Sequence, residues 1–376
     1  MTIPANTDPA AGTHNPWWAW VVPFAAWVLL AIKFSGMASA TSPIMLIAAA
    51  ILLGGAVFAS VHHAEIIAAR VGEPFGSIIL ALAVTVIEVA LIVSIMLSAA
   101  EGSEALARDT VFATVMIVLN GVVGLSLVMG SARNLVQSFQ TQGSAAALSV
   151  IGTLAVIALV LPNYTHTVVG PFYAPLQIGL IGVFSVVLYG VFLFEQTIRH
   201  RHYFLVIEEL PAGSPADDPG HVTPSNRTAA VSLALLVTAL SAVVVLAKVL
   251  APALERQVAA ANLPVSFVGV VIAAVVLLPE GIAAVRAARA NRLQNSLTLA
   301  LGSAMATIGL TIPIVAFTAI LLGQPLILGV GPGETVLLLL TLFIGTVTLA
   351  TGRTTVVQGA VHLVIFAIFL LLSVVP

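Results

Sequence analysis

Eleven uninterrupted apolar runs constrain the fold of this 376-residue chain more than any other feature of its sequence. Most are long enough to cross about 30 Å of hydrocarbon as helices, and they lack the alternation typical of membrane strands. Only 7% of the residues are charged, against about 25% in soluble domains. The sequence therefore predicts an all-α polytopic membrane protein with about 11 transmembrane helices. The runs lie at 17–35, 43–61, 76–99, 110–130, 145–162, 175–195, 228–251, 264–288, 296–322, 334–350 and 355–375.

Composition also excludes several classes of function. The chain holds no cysteine, which excludes disulfides and thiolate metal sites. Its net charge of −2 argues against nucleic acid as a partner. None of the apolar runs carries the Ser/His, HExxH or paired-aspartate pattern of a protease. We therefore expect a protein of the lipid bilayer that is not an enzyme and needs no cofactor, and the sequence leaves its oligomeric state open.

One polar segment divides the apolar runs near the middle of the chain. Sliding the first half by 192 residues, which aligns Glu88 with Glu280, brings runs two to six into register with runs seven to eleven. Each repeat then has five spans, and because five is odd the second repeat enters the membrane from the opposite side. The predicted parts are an N-terminal tail with the first helix (1–42), a first five-helix repeat (43–195), a cytoplasmic acidic and basic linker (196–227) and a second five-helix repeat (228–376).

The same pattern leaves a choice of alignment and suggests an orientation. A competing alignment pairs Ser77 with Ser296, which would make the third and ninth runs parallel and leave Glu280 matched with Glu65. We rank it below the inverted repeat.

The distribution of Lys and Arg sets orientation, and with the N-terminus inside, nine arginines lie in inner loops against four basic residues in outer loops. We expect a protein of the inner (cytoplasmic) membrane with a cytoplasmic N-terminus and an external C-terminus.

Glu88 and Glu280 lie inside apolar runs, where a carboxylate costs about 2.5–3.5 kcal/mol on insertion scales. Glu88 is the thirteenth residue of the run 76–99, close to mid-depth, and Glu280 lies past the centre of the run 264–288. Burial disfavours the charged form of a carboxyl group, so each glutamate can hold either a proton or a metal cation. We predict that this pair binds the transported cation and the protons.

Hydroxyl and amide side chains in the following runs are candidate supporting ligands. Ser303 and Thr307 are four residues apart, so their hydroxyls share one helix face. In the first half, Asn120 and Thr85 are the candidates. Each of these side chains could instead bond within its own helix or only pack against a neighbour. Pro279 removes one backbone donor from the eighth run and frees a carbonyl that could face a cation.

A group of ionisable residues follows the second run. His63, Glu65 and Glu73 lie beyond its predicted end, on the expected inner side. Adjacent histidines such as His62 and His63 point to different faces, and no metal-binding spacing is present. The group therefore predicts a cation vestibule or secondary proton sites rather than a metal centre. His362, in the last run, is predicted to be a satisfied contact between helices.

Two stretches of the sequence resemble the signatures of a known family of transporters. The first, 64–89, reads AEIIAARVGEPFGSIILALAVTVIEV, and the second joins PEG at 279–281 to GSAMAT at 302–307. From residue 43 onward, nearly the whole chain resembles the cation/calcium exchanger superfamily, in its bacterial calcium (or sodium)/proton antiporter branch. The resemblance implies eleven helices, two inverted five-helix repeats and one essential acidic residue per signature, which fall on Glu88 and Glu280. The Gly-Asn-Ala that usually precedes each glutamate is replaced here by Thr85-Val86-Ile87 and Leu277-Leu278-Pro279.

These observations predict a secondary antiporter that exchanges a cation for protons by alternating access. Two carboxylates neutralise one Ca²⁺ or accept two protons, and Ca²⁺ takes six to eight oxygen ligands. Ca²⁺ is therefore the expected cargo, with Na⁺ or K⁺ as the alternative because the replaced residues leave fewer polar ligands. A cation channel is a further alternative, although the chain shows no four-fold filter, and a purely structural membrane protein would tolerate neutralising either glutamate.

Overall fold

The structure, a computed structural model, describes residues 15–36, 42–72, 75–97, 103–204 and 223–375. Glu73 and the central part of the predicted linker, 205–222, lie outside the described residues. Within the described part the α-helices are α1 (Trp17–Phe34), α2 (Pro43–Val71), α3 (Phe75–Met96), α4 (Ser103–Met116), α5 (Val123–Asn134), α6 (Thr141–Ala155), α7 (Pro175–Phe194), α8 (Asn226–Ala260), α9 (Phe267–Arg289), α10 (Leu293–Ala306), α11 (Ile312–Leu322), α12 (Pro332–Leu349) and α13 (Val356–Val374).

When α-helices joined by a π-helical turn are counted as one, the described residues form eleven helices that are long and apolar enough to cross a membrane. This confirms the predicted all-α fold with eleven spans. Several boundaries were predicted wrongly. α8 continues to Ala260, and α2 continues to Val71 and carries His63 and Glu65 on the helix rather than beyond it. Its 29 residues extend about 44 Å at 1.5 Å per residue, which exceeds the hydrocarbon thickness, so the helix can continue through charged residues.

The described spans contain four π-helical turns where the sequence predicts continuous α-helix, at Ile117–Val122, Val156–Val160, Glu195–Arg199 and Thr307–Thr311. The turn Ile117–Val122 joins α4 to α5, and the turn Thr307–Thr311 joins α10 to α11. The shift of 192 residues that aligns Glu88 with Glu280 makes the turns Ile117–Val122 and Thr307–Thr311 overlap, and the internal repeat stays a prediction. Such turns are rare and frequently occur at functional sites.

The chain forms two compact units. The first takes in Met1–Ala83 and Glu208–Val243, and the second takes in Val84–Ile207 and Val244–Pro376. Each unit contains segments of both predicted repeats, so the boundaries of the repeats stay a prediction.

In the first unit, α1 packs closely against α2. A Cβ added at Gly55 would stand 2.9 Å from a methyl group of Val22, so only glycine permits this approach. His63 is buried at the same interface, with its Nε2 3.1 Å from the carbonyl oxygen of Ala19. This contact satisfies one ring nitrogen of His63, whereas its Nδ1 has no hydrogen-bond partner among the described residues.

In the second unit, connecting segments tie the ends of several spans together. β1 (Gln137–Ser138) pairs antiparallel with β2 (Arg353–Thr354). The Gln137 side chain also donates a hydrogen bond from Nε2 to the carbonyl oxygen of Ala288 at 2.9 Å. Gln137 follows α5, Thr354 precedes α13, and Ala288 lies at the end of α9. These bonds therefore fix one end of three spans.

Candidate cation and proton site

Glu88 is buried in α3, with only 2% of its surface exposed. Its Oε2 accepts a hydrogen bond from Thr307 Oγ1 at 2.7 Å and a longer one from Thr311 Oγ1 at 3.2 Å. Its Oε1 is also buried and has no hydrogen-bond partner among the residues that the structure describes. One oxygen is therefore held by two hydroxyls, while the other is available to a proton or a cation.

Glu280 is buried in α9 and is 6% exposed. Its Oε2 accepts a hydrogen bond from the hydroxyl of Ser303 on α10. Pro279 lies inside α9 and has no N–H, so the carbonyl of Val275, four residues earlier, loses its helical donor. A carboxyl group and a residue without a backbone donor thus occupy adjacent positions of one continuous helix.

A single face of the ninth span supplies the hydroxyls to both glutamates. Ser303, Thr307 and Thr311 follow one another at intervals of four residues, from α10 into its π-helical turn. Four residues of helix rise about 6 Å, so the carboxyl partners of Ser303 and Thr307 lie about one turn apart along this face. Glu88 and Glu280 are close enough to interact electrostatically. The structure therefore brings together two carboxyl groups that are 192 residues apart in the chain.

The chemistry of this cluster suits small positive ions. Carboxylate and hydroxyl oxygens are ligands that hard cations prefer, and a hydroxyl can donate to a carboxylate while presenting its lone pairs elsewhere. When protonated, the same carboxyl groups are neutral and each gains a hydrogen-bond donor. The cluster can therefore hold either cations or protons without leaving a net buried charge, which would be costly in a low-dielectric environment.

The two supporting residues predicted in the first half are both buried, in different surroundings. Thr85 lies on α3, one turn before Glu88, and is 4% exposed. Asn120 lies in the first π-helical turn, where its Nδ2 donates to Thr341 Oγ1 at 2.9 Å and its Oδ1 is 3.1 Å from His362 Nδ1. Both polar atoms of Asn120 thus bind neighbouring helices. His362 is a satisfied contact between helices, as predicted.

Two of the predicted vestibule residues belong to the first unit, and the third is not among the residues that the structure describes. His63 and Glu65 are on α2 in that unit, and Glu73 is outside the described residues. Within the described ranges, no group of three or more His, Cys, Asp or Glu residues is arranged to hold a metal ion. A vestibule or secondary proton role for these three residues stays a prediction.

Thr311 is the site residue that sequence reasoning missed. It is fully buried and donates to the same oxygen of Glu88 as Thr307 does. A signal was present in the sequence, because Thr311 continues the four-residue spacing of Ser303 and Thr307 by one more turn. The i,i+4 rule that indicated the first two hydroxyls applies equally to the third.

A family model described as "Sodium/calcium exchanger protein" matches this chain at residues 41–198 and 231–375. A relative from Sinorhizobium fredii, provisionally named as an ionic transporter, is 56% identical over 96% of this chain and 97% of its own length. The sodium-potassium/proton antiporter ChaA of Escherichia coli is 34% identical over 98% of this chain and 99% of its own length. The solved structure of the Ca²⁺/H⁺ antiporter YfkE has a TM-score of 0.72 at 16% identity, covers 96% of this chain and 100% of that chain, and shares its fold.

Proposed function

Because the chain belongs to the sodium/calcium exchanger family, which the match to its family model shows, we propose that it is a secondary antiporter. It exchanges a cation for protons and spans the membrane with eleven helices. One observation supports this function best. Glu88 and Glu280 are both buried and accept hydrogen bonds from hydroxyls that lie about one helical turn apart on one helix face, and one oxygen of Glu88 is left unpartnered among the described residues.

Charge balance makes the cation and the protons exclusive occupants. Two carboxylates neutralise one divalent cation or take up two protons, and binding both would leave uncompensated positive charge in a buried site. A proton gradient directed inward therefore expels the cation, with at least two protons for each divalent ion. The empty site, with two ionised carboxylates, is unfavourable in a buried environment. Release of the cation is therefore coupled to uptake of protons.

The site combines helices from both predicted repeats, α3 from the first and α9 and α10 from the second. Transporters with inverted repeats bind substrate near the midplane between the repeats and alternate access by moving one against the other. We assign the same mechanism here, in the cytoplasmic membrane with the N-terminus inside. In this proposal Thr85 lines the site, and His63, Glu65 and Glu73 form a vestibule or secondary proton sites.

Ca²⁺ is the first candidate for the cargo, because two carboxylates match its charge and hard oxygen ligands match its chemistry. Na⁺ or K⁺ is the second candidate, and the similarity to the sodium-potassium/proton antiporter ChaA favours it. The number of hydroxyl ligands also favours Na⁺ or K⁺. Under the 192-residue shift, the positions of the first repeat that correspond to Thr307 and Thr311 carry Val115 and Leu119, which have no hydroxyl. A site with oxygen ligands concentrated on one side offers fewer of them than Ca²⁺ usually takes.

Transport in proteoliposomes that contain a pH-sensitive dye tests the shared site. Glu88→Gln and Glu280→Gln keep the side-chain size and remove the charge, so each should abolish cation-induced dequenching while the protein still inserts. Glu255→Gln makes the same change at a partly buried carboxyl on α8 and should exchange as the wild type does. Full exchange by either site variant would end the proposal.

Separate additions of Ca²⁺, Na⁺ and K⁺ at matched ionic strength identify the cargo. The cation that dissipates the proton gradient, with half-saturation at the lowest concentration, is the substrate. Cation flux that moves no protons would point to a channel and contradict antiport.

A further inference from the structure

A chain of buried hydrogen bonds links the first π-helical turn to the last two helices. Thr348 Oγ1 lies 3.1 Å from His362 Nε2, and His362 Nδ1 lies 3.1 Å from Asn120 Oδ1. Asn120 Nδ2 then donates to Thr341 Oγ1, whose hydroxyl donates to Met116 Sδ at 3.4 Å. All five side chains are at most 3% exposed. A polar chain of this length in an apolar interior is stable only when every member is satisfied.

The hydrogen bonds have one consistent direction. As placed, Asn120 turns its oxygen to His362 and its nitrogen to Thr341. With this amide orientation, His362 carries its proton on Nδ1 and accepts the Thr348 hydroxyl proton at Nε2. The ring is neutral and acts as a donor on one side and an acceptor on the other.

The packing around this chain leads to Glu280. Val122 ends the π-helical turn that contains Asn120, and a Cβ added at Gly281 would stand 3.3 Å from Val122 Cγ2. Gly281 directly follows Glu280 on α9. The turn that Asn120 anchors therefore packs against the backbone next to a proposed ion-binding carboxyl.

The opposite side of the same turn is fixed by close packing between α5 and α13. A Cβ added at Gly124 would stand 2.9 Å from the Cβ of His362 and 3.2 Å from the carbonyl oxygen of Gly359. The helix segment that carries His362 therefore packs directly on α5, which continues the turn.

We propose that His362 is a positioning residue for cation binding. It holds Asn120, and with it the π-helical turn, in the place where Val122 supports the segment of Glu280. This inference rests on the proposed antiport and assigns Asn120 to the same positioning unit rather than to direct contact with the cation. Loss of the His362 hydrogen bonds lets the turn shift and weakens the geometry of the site.

The test measures exchange against cation concentration for His362→Leu, His362→Gln and Asn120→Leu, each in amounts matched to the wild type. His362→Leu should raise the half-saturating cation concentration about tenfold, as expected when a buried hydrogen-bonding partner is removed, with little change in the maximal rate. His362→Gln retains a donor and an acceptor and should stay within about threefold of the wild type. The His362→Leu, Asn120→Leu double variant should be no worse than the more impaired single variant, because the two residues act as one unit.

Thr346→Val is the matched control. Thr346 lies on α12 between Thr341 and Thr348, is exposed, and bonds only its own helix through the carbonyl of Leu342. This variant should bind and exchange as the wild type does. If His362→Leu lowers only the amount of inserted protein and leaves the half-saturating cation concentration unchanged, the positioning role is refuted. It is also refuted if His362→Gln is impaired as strongly as His362→Leu. If the wild type shows no exchange with any cation, antiport itself fails, whereas an active wild type with insensitive His362 variants refutes only this inference.

Discussion

Thr307→Val removes the shorter of the two hydrogen bonds to Glu88 and leaves nearly the same side-chain volume. At 2.7 Å the bond has the length of a well-formed O–H···O hydrogen bond. Hydrogen bonds to charged groups contribute about 1.5–3 kcal/mol. In the proposed exchange, Glu88 is ionised when a cation occupies the site and then depends on this donor, whereas the neutral, protonated carboxyl loses less. The substitution should therefore weaken cation binding more than it affects membrane insertion.

The expected size of the effect follows from the two distances. With about 1.4 kcal/mol for each factor of ten, Thr307→Val should raise the half-saturating cation concentration about 10- to 150-fold. The bond from Thr311 is 3.2 Å long, beyond the usual range for hydroxyl donors, so Thr311→Val should raise it only about threefold. Initial rates of dye dequenching in proteoliposomes, measured over a series of cation concentrations, give both values.

Thr318→Val serves as the control for this series. Thr318 lies on α11 in the same span, and its hydroxyl bonds the carbonyl oxygen of Ile314 at 2.8 Å within the helix. Its loss should leave half-saturation unchanged. Wild-type half-saturation in Thr307→Val, or a larger effect from Thr311→Val than from Thr307→Val, would refute the idea that these hydroxyls stabilise ionised Glu88.

Two further predictions concern stability and are measured by thermal melting in detergent. Gly124→Ala places a Cβ 2.9 Å from that of His362 and should destabilise the protein by about 1–3 kcal/mol through overpacking. Gly190→Ala on α7 meets no atom within 4 Å and should melt no lower than the wild type, so equal melting of these two variants would contradict the close contact. Arg108→Leu removes the partner of Asp109, which is 8% exposed and receives Arg108 Nε and Nη2 at 2.7 Å, and should cost about 3 kcal/mol. Unchanged melting of Arg108→Leu would contradict a stabilising role for this ion pair.

The number of spans could be predicted because the bilayer imposes a length that apolar runs report directly. Their internal breaks could not be predicted in the same way. The turns at 117–122 and 307–311 shift backbone hydrogen bonding by one residue, and such a shift leaves no trace in hydropathy. The end of α2 at Val71 was missed for a related reason, because helices continue past the hydrocarbon wherever backbone hydrogen bonding continues.

The candidate site was predictable where local spacing sufficed. Four-residue spacing correctly placed Ser303 and Thr307 on one face, and both hydroxyls bond a buried glutamate. Spacing does not report which helix faces that side, so the bond from Thr307 to Glu88, in the other half of the chain, required the structure. Asn120 has two partners, Thr341 and His362, which lie 221 and 242 residues away in sequence. No local pattern connects residues so far apart.

The two predicted halves each carry a π-helical turn at overlapping positions and use it for different contacts. In the second half, the π-helical turn carries Thr307 and Thr311 toward Glu88. In the first half, the overlapping turn carries Asn120, whose amide binds α12 and α13. If the donors had been kept in both halves, each glutamate would receive hydroxyls from the opposite repeat and the two carboxyls would be equivalent. The divergence gives Glu88 two hydroxyl donors from the second half, whereas Ser303, the hydroxyl that bonds Glu280, comes from the half of Glu280 itself. In the proposed antiport the two carboxyls interact with each other, so protons are taken up in two macroscopic steps rather than as a pair.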